Sequence, residues 1–218
     1  IVTSEKLKNY YNKFTSNIVK ITNGYERTDL KFDLDKSFTI THVGSLYTDR
    51  NPEILWEVLE SMCMNTKGFE DDFKLQLIGN IDKKIKKRLN ISKFSKCVSY
   101  KGYISEKDTH SYIFSSQLLL MVESIDNVMS YVIPGKFFKY LYSKRPIIAI
   151  GPSDSEIEEI MNEFKCGNYF TQDQKELLYT YLEDCYRKFK KNDLENGEYS
   201  TEKYDRFHLT KKLVELIK

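Results

Sequence analysis

The spacing of apolar positions changes period repeatedly along the chain, and each change marks an element. Residues 5–19 carry Leu7, Tyr10, Tyr11, Phe14 and Ile18 at helical spacing, and VKITNGY then reads as a brief strand entering an Asn-Gly turn. FTITHVGSLY at 38–47 is an apolar strand that runs into a small-residue turn. PEILWEVLESMCM at 52–64 resumes the helical period, with Pro52 suited to a first turn. The same alternation gives a strand at 73–80 ending in Gly79, a helix at 81–90 and a strand at 97–104. A helix at 105–116 follows, with Ser105 as N-cap and Asp108 three residues on. QLLLMVES at 117–124 is the most continuous apolar run, as a strand covered on both faces requires. Helix 135–144, strand 145–152, helix 153–164 with Ser153 or Ser155 as cap, strand 167–172 and helix 175–189 continue the rhythm. After a polar loop, a helix at 210–218 closes it.

Strands alternating with helices at this spacing predict an α/β fold: a Rossmann-like parallel sheet with helices on both faces and right-handed crossovers. Ligands of such sheets sit beyond the carboxyl ends of the strands. The loops that matter are therefore 44–51, 79–82, 102–106, 124–136 and 151–156.

Composition narrows the chemistry. The chain has 218 residues, 40% of them hydrophobic, which is enough for a sizeable core. Thirty-four basic against 32 acidic residues give a formal charge of +2, too balanced for a surface that coats nucleic acid. The run KKIKKRLN at 83–90 reads as a solvated helix face with Ile85 and Leu89 turned inward; a patch for phosphates or anionic lipid is the alternative. Cys63, Cys97, Cys166 and Cys185 are far apart with no CxxC pair, which favours free thiols. His42, His110 and His208 stand alone, so no metal site is expected. No stretch approaches the roughly 18 apolar residues of a membrane span and no secretory layout opens the chain, so the cytoplasm is the default compartment.

The motifs ITNGY, HVGSLYTDRNPEILWEVLESM, LQLIGN, VSYKGYIS, VIPGKFFKYLYSKRPIIAI and YDRFHLTKKLVELI, in that order, cover nearly the whole chain. Together they resemble the carboxyl-terminal half of GT-B glycosyltransferases, nearest to family 4 of that classification. The resemblance implies that 1–24 is the tail of an amino-terminal lobe and the interdomain linker. It makes 25–190 the nucleotide-sugar-binding domain and 191–218 a carboxyl-terminal loop and closing helix. The chain would then be a second half whose acceptor-binding lobe is missing. The implied reaction moves a sugar from a nucleotide-diphosphate sugar to a glycan or lipid-linked acceptor, with retention and without metal or cofactor. The partners are that donor, that acceptor and the other lobe, with no nucleic acid; peripheral attachment to a membrane is compatible with a lipid-linked acceptor.

Cleaving a nucleotide sugar builds negative charge on the leaving phosphate, so the site needs backbone donors, a helix amino terminus and cations. The resemblance places diphosphate contacts at Gly44, Ser45 and Arg50, with Gly79 on the same rim, and the base at Tyr103 and Ile104. It places Gly135 and Lys136 in the first turn of a helix facing the ligand. Family members carry a glutamate for ribose hydroxyls where this chain has Lys139, and another glutamate eight residues earlier, where it has Tyr131. A lysine has three donors and no acceptor, so Lys139 is suited to a phosphate and not to a ribose. Glu123 and Asp126 read as solvated carboxylates, with contact to sugar hydroxyls as the alternative. No catalytic residue is assigned. Two other functions fit the same residues: a degenerate, non-catalytic binding or assembly module, and a nucleotide-sugar epimerase.

Overall fold

Six short runs form the sheet, the four inner ones largely buried between two layers and the two at its edges, VSYKG and GNYF, partly open. In the computed structural model, which describes residues 1–124, 131–194 and 196–217, these runs are β1 (Phe38–Val43), β2 (Phe73–Ile78), β3 (Val98–Gly102), β4 (Leu118–Val122), β5 (Ile147–Ile150) and β6 (Gly167–Phe170). All pair in parallel in the order β3-β2-β1-β4-β5-β6. The helices are α1 (Glu5–Tyr11), α2 (Glu53–Asn65), α3 (Phe69–Asp72), α4 (Lys83–Asn90), α5 (Glu106–Ser115), α6 (Gly135–Ser143), α7 (Glu156–Phe164), α8 (Lys175–Lys190) and α9 (Arg206–Glu215).

Alternate residues of each strand face opposite layers. On β4, Leu118, Leu120 and Val122 join the core under α2, α4 and α8, whereas Leu119 and Met121 pack with α5, α6 and α7. All five β4 residues are buried, which explains the unbroken apolar run. The turn from α6 into β5 holds Arg145, only 1% exposed. Its guanidinium donates to the Ser116 and Gln117 carbonyls, to Gln117 Oε1 and to Asn196 Oδ1, so the buried charge is satisfied by neutral acceptors.

Three expectations are corrected. Helical spacing over 5–19 gives only the seven residues of α1, none of them buried. Tyr10, Tyr11 and Phe14 contact one another at the surface and do not form a core stripe, so no packing extends the helix. What holds α1 is its amino end: the Ser4 hydroxyl accepts from Leu7 N–H, and the Glu156 carboxylate accepts from the N–H groups of Glu5 and Lys6. The strand expected in VKITNGY is reduced to isolated bridges, Val2 with Lys20 and Tyr25 with Asp205. The last helix starts at Arg206 because Asp205 caps it, accepting from Phe207 N–H. The short α3 was not expected, and Ser155, not Ser153, caps α7.

Candidate functional site

Strand order reverses direction between β1 and β4, and the segments that leave these two strands diverge to open a crevice. A cleft of about 310 Å³ lies there. Gly44, Gly79, Tyr103, Ile104, Gly135, Lys136 and Lys139 all line it, although they come from four separate segments. Ser45 and Arg50 are not among the described residues that line the cleft, although Arg50 is near enough for its charge to act on Lys136. Gly24 and Arg206 also line the cleft.

The two strand-end glycines serve backbone packing. Gly44 has φ +117 and Gly79 φ +121, conformations that other residues rarely adopt. Their N–H groups are already spent, Gly44 on the Ile78 carbonyl and Gly79 on that of Gly102, both at 2.7 Å. Each glycine therefore contributes room and no free donor. A Cβ on Gly79 would lie 2.5 Å from the Gly44 carbonyl oxygen, and one on Gly44 would lie 3.2 Å from Lys136 Nζ.

Free donors come from α6. Pro134 precedes this helix without a side-chain cap, no acidic residue sits in its first turn, and its leading N–H groups have no intrahelical partner. Among the described residues nothing lies within 4 Å of where a Cβ on Gly135 would stand, which leaves room for a ligand at the helix end. One residue on, Lys136 points its ammonium at His42 Nε2, 3.4 Å away. His42 is completely buried, and its Nδ1 is 3.0 Å from the Leu120 carbonyl, which can only accept. The proton is therefore on Nδ1, and Nε2 offers its lone pair to the lysine. Burial, followed by the Lys136 charge, holds the His42 pKa well below its ordinary value, so the ring stays neutral. Burial and the neighbouring Arg50 guanidinium lower the Lys136 pKa to about 7. Arg50 Nε is buried without a hydrogen bond among the described residues and meets its sequence neighbour Asp49 at 3.6 Å.

One turn further along α6, Lys139 forms an ion pair with Glu106 of α5. The lysine is mostly covered and the carboxylate mostly open, at 13% and 69% exposure. Hydrogen bonding and charge from Lys139 keep Glu106 below the usual carboxylate range. Glu106 is the one carboxylate among the described lining residues.

Glu123 is not solvated as expected. It is 8% exposed and accepts from Ser155 Oγ at 2.5 Å and Tyr169 OH at 2.8 Å, which ties β4 to the segments after β5 and within β6. Tyr131 lies with α1 and not in the cleft: its carbonyl accepts from Ser4 Oγ and its ring meets that of Tyr10. Asp126 lies outside the described residues. Sequence reasoning missed His42, Glu106 and Arg206. His42 carried one legible signal, a polar ring inside an apolar strand two residues before a glycine turn. A larger groove of about 670 Å³ opens near the amino ends of β5 and β6, lined by Lys144, Lys165 and Lys188 among others, away from the end of the sheet where α/β ligands bind.

No protein-family model and no curated protein matches the chain. Solved structures do. WaaG, a glycosyltransferase involved in lipopolysaccharide biosynthesis, superposes with a TM-score of 0.71 at 13% identity, covering 99% of this chain and 61% of that one. A TarM mutant from S. aureus, in complex with fondaparinux, α-GlcNAc-glycerol and UDP, gives 0.65 at 19% identity over 99% and 43%. The pneumococcal O-GlcNAc transferase GtfA, in complex with UDP and GlcNAc, gives 0.70 at 13% identity over 99% and 44%. The chain has the fold of the carboxyl-terminal half of a GT-B glycosyltransferase. At these identities the likeness is one of fold. This GT-B half spans about half the length of the structures it matches.

Proposed function

We propose that the cleft binds the nucleoside diphosphate of a nucleotide-sugar donor and that the chain is the donor half of a sugar transferase. The observation that carries this reading is a cation without a counter-ion. Among the described residues Lys136 forms no ion pair; its neighbours are a neutral histidine, a second cation and an uncapped helix amino terminus. Such an arrangement opposes folding unless an anion completes it. A diphosphate does so with two phosphoryl groups, and the UDP bound in the TarM and GtfA structures makes uridine diphosphate the first probe.

The rest of the ligand is laid out along α6. Lys139 follows Lys136 by one turn, about 4.5 Å of helix rise, so the group that meets Glu106 and Lys139 adjoins the diphosphate. An ionised carboxylate only accepts hydrogen bonds, and the ribose hydroxyls are the donors a nucleotide offers there. Lys139 then holds Glu106 in place and is not itself a phosphate ligand. Tyr103 and Ile104, further along the wall, face the base. As the glycosidic bond breaks, Lys136, Arg50 and the α6 terminus meet the growing charge of the leaving diphosphate, so the proposed reaction needs no metal. Retention of configuration, a glycan or lipid-linked acceptor held by another half, and the boundaries 1–24, 25–190 and 191–218 are carried over from the resemblance as parts of the same proposal.

Calorimetric titration with uridine, guanosine and adenosine diphosphates tests the reading. Saturable one-to-one binding of at least one is expected; none for any of the three leaves the non-catalytic assembly module as the function. Two finer outcomes follow. Glu106→Gln is expected to erase a preference of about tenfold for ribose over 2′-deoxyribose nucleotides, the worth of a charged hydrogen bond. An unchanged preference would remove Glu106 from the ribose site. The second concerns pH. Free Lys136, with a pKa near 7, loses its proton above neutrality, whereas the bound diphosphate favours the charged form. Donor affinity should be flat below about pH 7 and fall above it, with proton uptake visible as a buffer-dependent enthalpy. A nucleotide sugar is the suitable titrant because its diesterified phosphates do not titrate in this range; pH-independent binding would contradict the assignment.

A further inference from the structure

Residues 81–104 hold seven lysines and one arginine against one aspartate, in a chain whose whole formal charge is +2, so the rest of the molecule is net acidic. The segment comprises α4 and the edge strand β3. Arg88 is already taken by Glu53 and Glu60. Lys83, Lys84, Lys87, Lys93, Lys96 and Lys101 are exposed, and none of them forms an ion pair among the described residues. Most other ion-paired lysines, such as Lys175 and Lys190, meet carboxylates on neighbouring elements. The outer side of α4 and β3 form one surface: Lys86 Nζ lies 5.5 Å from the Tyr100 ring, and Tyr100 OH donates to Asn90 at 3.4 Å. One large aliphatic side chain at the end of α4 is left open, Ile91 at 77% exposure.

We propose that this edge is a docking surface for an anionic lipid bilayer. Six unpaired ammonium groups spread over a helix, a loop and a strand suit a fluid sheet of negative headgroups better than one fixed ligand, for which the planar fork of arginine would serve. Each is drawn to such a surface, and the attractions add along the patch. Ile91 adds what a polyanion in solution does not need, an aliphatic side chain that enters the headgroup layer. Nucleic acid is the competing polyanion, and it lacks an apolar phase to receive Ile91. Because Tyr103 and Ile104 also line the cleft, docking by this edge sets the mouth of the cleft beside the lipid surface.

Sedimentation of the chain with vesicles of phosphatidylcholine, alone and mixed with phosphatidylglycerol, tests this. Binding to the mixed vesicles only is expected, weakening as salt is raised. The variant Lys83→Glu/Lys84→Glu/Lys87→Glu should keep its melting temperature, since these side chains are exposed, and lose about two orders of magnitude of partitioning. Ile91→Ser should weaken the part of the binding that salt does not remove. No binding to mixed vesicles, equal binding by the triple variant, or displacement from vesicles by an equal phosphate concentration of single-stranded DNA would each overturn the proposal.

Discussion

Lys136→Met is expected to weaken nucleotide binding strongly and, at the same time, to make the free protein more stable. The methionine fills the same space without an ammonium group. Loss of a charged hydrogen bond worth about 1.5–3 kcal/mol weakens diphosphate affinity by roughly 10- to 150-fold. Removing a cation that has no counter-ion stabilises the fold by about 1–2 kcal/mol, or about 2–8 °C in Tm for a domain of this size. The pH dependence separates this effect from simple repacking. The folded-state pKa of Lys136 is lowered from 10.5 to about 7, so between these values the unfolded chain holds a proton that the native protein does not. Stability of the unmodified protein therefore rises with pH across that window, and the cost of Lys136 is complete below pH 7. The gain in Tm should be largest at neutral and lower pH and vanish as the lysine becomes neutral in both states. Calorimetry of both proteins across this range is the check; a destabilised variant would mean that Lys136 serves the fold and not a ligand.

The second large effect is expected from Gly79→Ala. The new methyl group would stand 2.5 Å from the Gly44 carbonyl oxygen, and the backbone at φ +121 is one that alanine rarely adopts. Strain and overpacking together cost about 2–5 kcal/mol. Any relief must push the segment after β1 away from that after β2, which carries Gly44 off Lys136 Nζ and spoils the cleft as well. Gly135→Ala is the control, because the same methyl group there meets nothing within 4 Å among the described residues and continues a helix. It should leave the Tm unchanged or raise it. Equal losses in both variants, followed by thermal and urea unfolding, would show that the close approach of the two strand-end turns is not what requires glycine at position 79.

The sheet was legible because burial on both faces leaves a plain mark, as in the five consecutive apolar residues of β4. The position of the cleft was legible for a related reason: Gly44 and Gly79 end strands, Gly135 starts a helix, and parallel topology brings those ends together. Side-chain partnerships left no such trace. Helical spacing in 5–19 cannot say whether an apolar stripe meets a core, and α1 met none. Glu106 looks like an ordinary first-turn acid until α5 and α6 are set side by side and Lys139 is found against it. Glu123 looks solvated until Ser155 and Tyr169 arrive from distant segments. His42 gains meaning only when β4 offers a carbonyl to one ring nitrogen and α6 a lysine to the other.

A crystal of the chain grown with uridine diphosphate would test the central claim most directly. The diphosphate is expected within hydrogen-bond distance of Lys136 Nζ and the leading N–H groups of α6, with a ribose hydroxyl on Glu106. A nucleotide lodged instead between Lys144, Lys165 and Lys188, or a cleft left to solvent at saturating ligand, would contradict it.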